Sequence, residues 1–314
     1  MDPHTTGLET HLIADFSNGD FPTIQKYPHP IQTSVMPVIA YRGRDFVPLG
    51  TCFAISNHGL ALTARHIIDE FQAIAARGDD SNPWWIGSLY AADPAPHHDV
   101  PGTLGGILPA RKIHLNHNLD IAVIHLHLPT DTVTKETLRM PAFKISPGLP
   151  KAGWSCFAVG YHSMEWKGCS DADAEVFQKF SASRGQIRQL HTPCRDSAVL
   201  NFPCFETSAR FDGGMSGGPI LAEDGGVIGV VCSSLGSPDD GGYISYGSLI
   251  GPALFVRTEA KLDNGSEEEV FLYDFVTGGA VVADHTLASL RANRGEKTLH
   301  IDFGDGVTFV GDLG

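Results

Sequence analysis

The chain has 314 residues, a formal net charge of −14 and a pI near 5.4. That acidity, with no Lys/Arg cluster anywhere, excludes a partner held through nucleic-acid phosphates, because such affinity comes from basic side chains. Hydrophobic content of 42%, charged content of 18%, 35 glycines and 20 prolines suit many short strands joined by turns, and the length suits one all-β unit with terminal additions.

The start, Met1-Asp2-Pro3-His4-Thr5-Thr6-Gly7, has no basic segment and leads into no apolar h-region. No uninterrupted apolar run approaches a membrane span. We therefore expect a cytoplasmic protein with no membrane partner. Residues 1 to 30, with three prolines between Phe21 and Pro30, read as an N-terminal arm lying over the body or as a partly disordered leader. β-prone sequence begins at Val35, and Gly50 to Ile55 followed by Gly59 to Thr63 reads as a hairpin that delivers His66 at the end of its second strand. Helical spacing of Ile67, Ile68, Phe71, Ile74 and Ala75 predicts a helix to about Ala76. Trp84 to Tyr90 reads as strand and Asp93 to Gly106 as loop. Arg111 to Leu115 then leads to Asn118-Leu119-Asp120-Ile121-Ala122-Val123-Ile124, where one carboxylate stands half buried at the mouth of an apolar strand.

His114, His117, His125 and His127 cluster in this region, and His125 and His127 share a strand face by period-two alternation. With no His-Glu-x-x-His element and no Cys-x-x-Cys pair, we expect packed or surface histidines, and neither a metal nor a cofactor. Residues 129 to 150 read as a connection, Trp154 to Tyr161 as a strand, and residues 162 to 182 as a polar loop whose Glu165, Asp171, Asp173 and Glu175 could edge a substrate cleft. Arg184 to Arg188 and Ala198 to Phe202 read as strands, and Gly218 to Ala222 with Gly226 to Ser234 as a hairpin over Glu223-Asp224-Gly225. Further on, Val270 to Val276 reads as strand, Asp284 to Asn293 as a short helix capped at Asp284, and Thr298 to Phe303 with Val307 to Val310 as a hairpin.

The chemistry concentrates in Phe211-Asp212-Gly213-Gly214-Met215-Ser216-Gly217-Gly218-Pro219. Glycines on both sides let a turn lift one hydroxyl into a cleft while aiming backbone N–H groups at the same point. Acyl transfer needs that arrangement, since the oxygen of the tetrahedral intermediate must meet preorganised donors. A serine alone is a weak nucleophile and requires a base and a group that orients it. His66, straight after its apolar strand, and Asp120 supply both.

These three segments resemble, in order and spacing, the histidine, aspartate and serine motifs of chymotrypsin-like (trypsin-fold) serine proteases, over roughly residues 35 to 257. The resemblance implies an all-β fold of two six-stranded antiparallel β-barrels with N- and C-terminal extensions. Its expected boundaries are an arm at 1–30, a protease domain at 31–258 with barrels at about 31–128 and 150–258, and a β-rich extension at 259–314. It implies a serine endopeptidase with triad His66, Asp120 and Ser216, and an oxyanion hole made by the N–H groups of Gly214 and Ser216. Its substrate is a protein or peptide, paired as an extra strand with Cys232, Ser233 and Ser234.

Met215 stands where digestive zymogens carry an aspartate that pairs with a freshly cut N-terminus, so that style of activation is not expected. The chain looks closer to the intracellular and bacterial HtrA-like branch, without a PDZ domain after residue 257. Arg210, six before Ser216, occupies the position where trypsin-like relatives place an acid that selects basic side chains. At a pocket base it would favour acidic substrates; pointing to solvent, it would leave a preference for apolar or small ones. The disulfides of secreted relatives beside the histidine and around the nucleophile cannot form, since Ile67 and Asp212 stand there, and Cys52, Cys156 and Cys232 lie in apolar runs. We expect Cys52, Cys156, Cys169, Cys194, Cys204 and Cys232 to be reduced thiols of a cytosolic protein.

The expected role is a regulated protease cutting a specific partner protein. The alternatives are a catalytically silent protease-fold scaffold that binds a partner, and an esterase using the same triad. The C-terminal tail either packs on the second barrel or recognises a partner, and we expect packing.

Overall fold

The computed structural model describes residues 16–17, 19–24, 30–78, 81–92, 104–168, 174–235, 243–261, 266–293, 298–302 and 308–312. Most of the N-terminal arm, Cys169, Asp171, Asp173 and the expected hairpin turn at Gly304-Asp305-Gly306 lie outside the described residues.

The chain folds into two closed antiparallel barrels of six strands each. The first comprises β1 (Val35–Arg42), β2 (Asp45–Ala54), β3 (Leu60–Thr63), β4 (Trp85–Ala92), β5 (Leu104–Leu115) and β6 (Ala122–Leu126), in the order β1-β2-β3-β6-β5-β4. The second comprises β7 (Ser155–Gly168), β8 (Ala174–His191), β9 (Cys204–Thr207), β10 (Pro219–Leu221), β11 (Val227–Leu235) and β12 (Ile244–Leu249), in the order β10-β11-β12-β9-β8-β7. Short strands with fully buried Val38, Phe53, Leu62 and Val123 fill the first barrel; Cys156, Phe205, Ile220 and Met215 belong to the second core. Closure leaves no open sheet edge within either barrel.

Several sequence-based expectations fail for identifiable physical reasons. Residues 162 to 182, expected as loop, are mostly strand: β7 and β8 run past the barrel as a ribbon, paired from Glu165↔Phe177 to Gly168↔Ala174. Such a ribbon is held by its own ladder, so it needs no apolar core face to mark it in the sequence. Residues 198 to 202, expected as strand, form a turn, because the Asp196 carboxylate accepts the N–H groups of Ala198, Val199 and Leu200 at 2.9, 2.7 and 3.2 Å. Local side-chain bonds of this kind compete with the ladder, and the strand β9 starts only at Cys204.

After β13 (Arg257–Lys261) and β14 (Glu267–Phe271), the expected strand at 270–276 becomes the helix α2 (Leu272–Thr277). The Asp274 carboxylate accepts the Phe271 N–H at 3.0 Å and so satisfies one of the donors left over at a helix start. The expected helix at 284–293 is a 3-10 turn, His285–Ser289, followed by β15 (Leu290–Asn293), which pairs with β16 (Thr298–Asp302), itself paired with β17 (Thr308–Asp312).

The tail packs on the body, though chiefly on the first barrel and the inter-barrel connection. Lys112 on β5 bonds Glu259 and Glu267 of the β13–β14 ribbon, and His125 bonds Thr258 at 2.6 Å. Ile145 in the connection exchanges backbone hydrogen bonds with Val282 and Asp284 at 2.9 and 3.0 Å, and Ser146 donates to Asp284 at 2.6 Å. At the other end of the chain, residues 20 to 24 run along β8: Ala182 and Arg184 donate their N–H groups to Pro22 and Asp20, and Ile24 donates to Phe180. Among the described residues no helix is long and apolar enough to cross a membrane.

Candidate active site

His66 arrives on the first turn of α1 (Arg65–Ala75), whose inner face buries Ile67 and Ile68 and so fixes the helix against the barrel. Asp120 arrives by register. β6 pairs with β3 at Thr63↔Ala122, so the residue two before Ala122 falls beside the residues that follow Thr63. The Asp120 carboxylate accepts two bonds from one residue, the backbone N–H of His66 at 3.0 Å and its ring Nδ1–H at 2.9 Å. With Nδ1 donating, the imidazole lone pair lies on Nε2, the nitrogen a general base needs free. Asp120 is buried, with 9% of its side chain exposed, while 42% of the His66 side chain is open to the cleft. Burial lowers the His66 pKa, but the hydrogen bond and charge of Asp120 and the charges of Glu70 and Asp69 outweigh it, and the net shift is upward.

Ser216 sits in the turn before β10. Met215, fully buried in the second core, anchors one side of it, and Gly217 anchors the other by donating its N–H to Val231 at 2.8 Å. Gly217 has φ +83°, and a Cβ there would lie 2.1 Å from the Thr51 carbonyl oxygen, so only glycine fits between Ser216 and the first barrel. Just before the serine, Asp212 to Met215 form a turn closed by the Met215 N–H on the Asp212 carbonyl at 3.0 Å. Gly214, its third residue, has φ +99° as a type II turn requires.

Cys232 lies at a bulge in β11 and lines, with His66, Asp120, Leu119, Val199, Leu200, Phe202 and Ser233, a cleft of about 510 Å3. Its sulfur lies within 4.8 Å of the Asp120 carboxylate and the His66 ring, and burial first, then the charge of that carboxylate, pushes its pKa well up. Cys52, Cys156, Cys194, Cys204 and Cys232 are free thiols. The Ser216 hydroxyl donates to the Cys232 carbonyl at 3.3 Å rather than to His66. The structure thus brings His66, Asp120, Cys232 and Ser233 together in one cleft, and the Ser216 hydroxyl bonds the carbonyl of Cys232, one of the residues that line it.

Arg210 stands elsewhere. Its guanidinium makes two bonds to Asp212 at 2.6 and 2.7 Å, lies 4.3 Å from the Phe21 ring centre and 5.5 Å from that of Tyr243, and lines a separate concavity with Arg184 and Arg188. The histidine cluster also divides. The His114 and His125 rings pack at 5.1 Å, whereas His127 meets the Arg111 side chain at 3.3 Å.

Comparison with known proteins agrees with this architecture. Residues 50–230 match the trypsin-like peptidase domain. The chain belongs to that family. It is a serine-type endopeptidase, with protein or peptide as its class of substrate. Among solved structures, the chain is similar to the HtrA-type protease AlgW with decapeptide (16% identity, 86% of this chain and 70% of that one, TM-score 0.46). It is also similar to the MamO protease domain from Magnetospirillum magneticum (15%, 71% and 94%, 0.44) and to Deg5 (15%, 68% and 83%, 0.43). No curated protein matches the chain significantly.

Thr51 carried no signal in the sequence. Buried at 0% exposure, it links the first barrel to the serine loop: its N–H donates to the Ser216 carbonyl and its hydroxyl to the Gly214 carbonyl, both at 2.8 Å. A threonine in a strand reads only as a β-former, so nothing local distinguishes it. The partner lies 163 positions away.

Proposed function

We propose that this trypsin-like peptidase hydrolyses peptide bonds through His66, Asp120 and Ser216, with Gly214 and Ser216 N–H groups receiving the oxyanion. The observation that carries the reading is the double acceptance by Asp120, which fixes the orientation and tautomer of His66. His66 Nε2 takes the Ser216 hydroxyl proton as Oγ bonds to the scissile carbonyl carbon. The protonated ring then returns that proton to the departing amine, and the C–N bond breaks. Water, deprotonated by the same nitrogen, attacks the acyl-enzyme, and Ser216 Oγ leaves with the proton.

The hydroxyl's rotamer on the Cys232 carbonyl belongs to a resting site; catalytic hydrogen bonds are often loose before substrate arrives. An extended substrate pairing with Cys232, Ser233 and Ser234 competes for that carbonyl and frees the hydroxyl to turn toward His66. We read this as a protease regulated by the partner protein it cuts. Free, buried thiols at Cys52, Cys156, Cys204 and Cys232 support a reducing, cytoplasmic setting, and the net charge of −14 works against nucleic-acid partners. Arg210 carries its own counter-ion, Asp212, so we place it as a wall of its concavity with its charge compensated, and assign substrate preference to the apolar cleft beside His66.

The same Ser216 rotamer favours a second reading, a silent scaffold. Labelling with a fluorophosphonate beside Ser216→Ala decides between them. Labelling lost in the variant supports the triad, and no labelling of the wild-type protein, with or without candidate peptides, overturns it.

A further inference from the structure

We propose that Thr51 is a positioning residue that holds the oxyanion turn from the opposite barrel. The inference rests on the reading of Gly214 and Ser216 as oxyanion donors.

All four polar functions of Thr51 are committed. Its N–H donates to Ser216 O at 2.8 Å, and its hydroxyl donates to Gly214 O at 2.8 Å and accepts from the Tyr161 N–H at 3.1 Å. Its own carbonyl accepts from the Thr63 hydroxyl at 2.7 Å, and Thr63 ends the strand that leads into His66. One side chain therefore joins β2, β7 and the Asp212–Met215 turn, and one backbone unit joins the nucleophile's carbonyl to the strand before the base.

Gly214 has no Cβ, and its φ of +99° is open to many alternatives, so the turn cannot hold its own direction. The Met215 N–H on Asp212 O closes the turn from within, and the Thr51 hydroxyl fixes the Gly214 carbonyl from outside. With that carbonyl held toward the first barrel, the peptide after Gly214 keeps one direction, and the turn that carries the Gly214 N–H is anchored at its C-terminal end. Oxyanion stabilisation depends on donors fixed before the charge develops. The hydroxyl is needed twice over, since without it both the part-buried Gly214 carbonyl and the buried Tyr161 N–H lose the bond it makes.

The test compares wild type, Thr51→Val, which keeps shape without the hydroxyl, and Thr51→Ser, which keeps the hydroxyl. Fluorophosphonate labelling rates, kcat and KM on a peptide substrate, and amide hydrogen exchange at residues 213–216 are measured on each. We expect Thr51→Val to lower kcat and the labelling rate by about 10- to 100-fold, the order that a misaligned site costs. KM should change little, exchange at the turn should quicken, and Thr51→Ser should stay close to wild type. If Thr51→Val does not fold, Thr51→Ala is read in the same way. Wild-type rates and exchange in the hydroxyl-free variant, or equal damage in Thr51→Ser, would overturn the proposal. Should the wild-type protein itself fail to label, the triad reading falls, and the exchange data still decide whether Thr51 holds the turn.

Discussion

Two histidines half-buried on the first barrel, His66 and His125, have opposite chemistry because their neighbours differ. His66 is backed by a buried carboxylate aligned with Nδ1, and its pKa rises despite burial. His125 faces Thr258 of the C-terminal ribbon and the His114 ring, with Lys112 nearby. Burial, His114 and Lys112 together push it down to about 4, against weaker upward pulls from Glu259 and Glu267. The upward shift suits the first to the base role proposed for it, and the second is held neutral and bonds the tail ribbon to β6. An imidazole becomes a base or a strut according to whether an acid or a second cationic group stands against it.

The largest break in this contrast comes from Asp120→Asn. We expect kcat to fall on the order of 10⁴-fold. With the carboxylate gone and burial left, the His66 pKa should drop, so the acid limb of the pH–rate profile should move to lower pH. In the wild-type protein that limb should have its midpoint above the ordinary histidine value of about 6.5, because the base must be neutral to act. A midpoint at or below that value would count against the Asp120 pairing.

Cys232 gives the next effect. Cys232→Ala removes the polar group within 4.8 Å of the Asp120 carboxylate and should lower kcat by up to about tenfold, the order of one modest polar contact. Cys232→Ser should restore most of it, and equal loss in both would point to packing instead.

At His125 the readout is stability. Its folded pKa lies below the unfolded one, so the unfolded chain binds more protons between about 4 and 6.5. The stabilisation is present above the unfolded value and lost as pH falls toward the folded one. Urea midpoints should therefore drop between pH 7 and pH 5, and His125→Gln should flatten that drop; an unchanged slope would remove His125 as its source. The smallest change belongs to Glu70→Gln, which weakens one distant charge on His66 and should lower the acid-limb midpoint slightly without altering kcat at high pH.

Much of the site was legible because its chemistry is local in sequence. The glycine-flanked serine needs its own turn, the apolar run after Asp120 is a buried strand, and the helical spacing after His66 ends at Ala75, within a residue of the expected place. The errors fell where long-range or side-chain bonds overrode local preference: the extended β7–β8 ribbon, the Asp196 turn, and the helix whose start is capped by Asp274. Arg210 shows the same limit, since its spacing from Ser216 fixes its position but not its counter-ion two residues on or the Phe21 ring brought from the N-terminal segment.

By itself the sequence determined the reaction class and marked His66, Asp120 and Ser216 as the candidates for base, orienting acid and nucleophile, because each role needs a particular residue type in a particular local setting. Only the tertiary structure decided that Thr51 bonds the Gly214 carbonyl, that the Cys232 thiol stands beside Asp120, and that His125 bonds Thr258 of the tail. Those roles are set by atoms brought within bonding distance across barrels and tail, by a closure that leaves no periodicity or motif at the residues it joins.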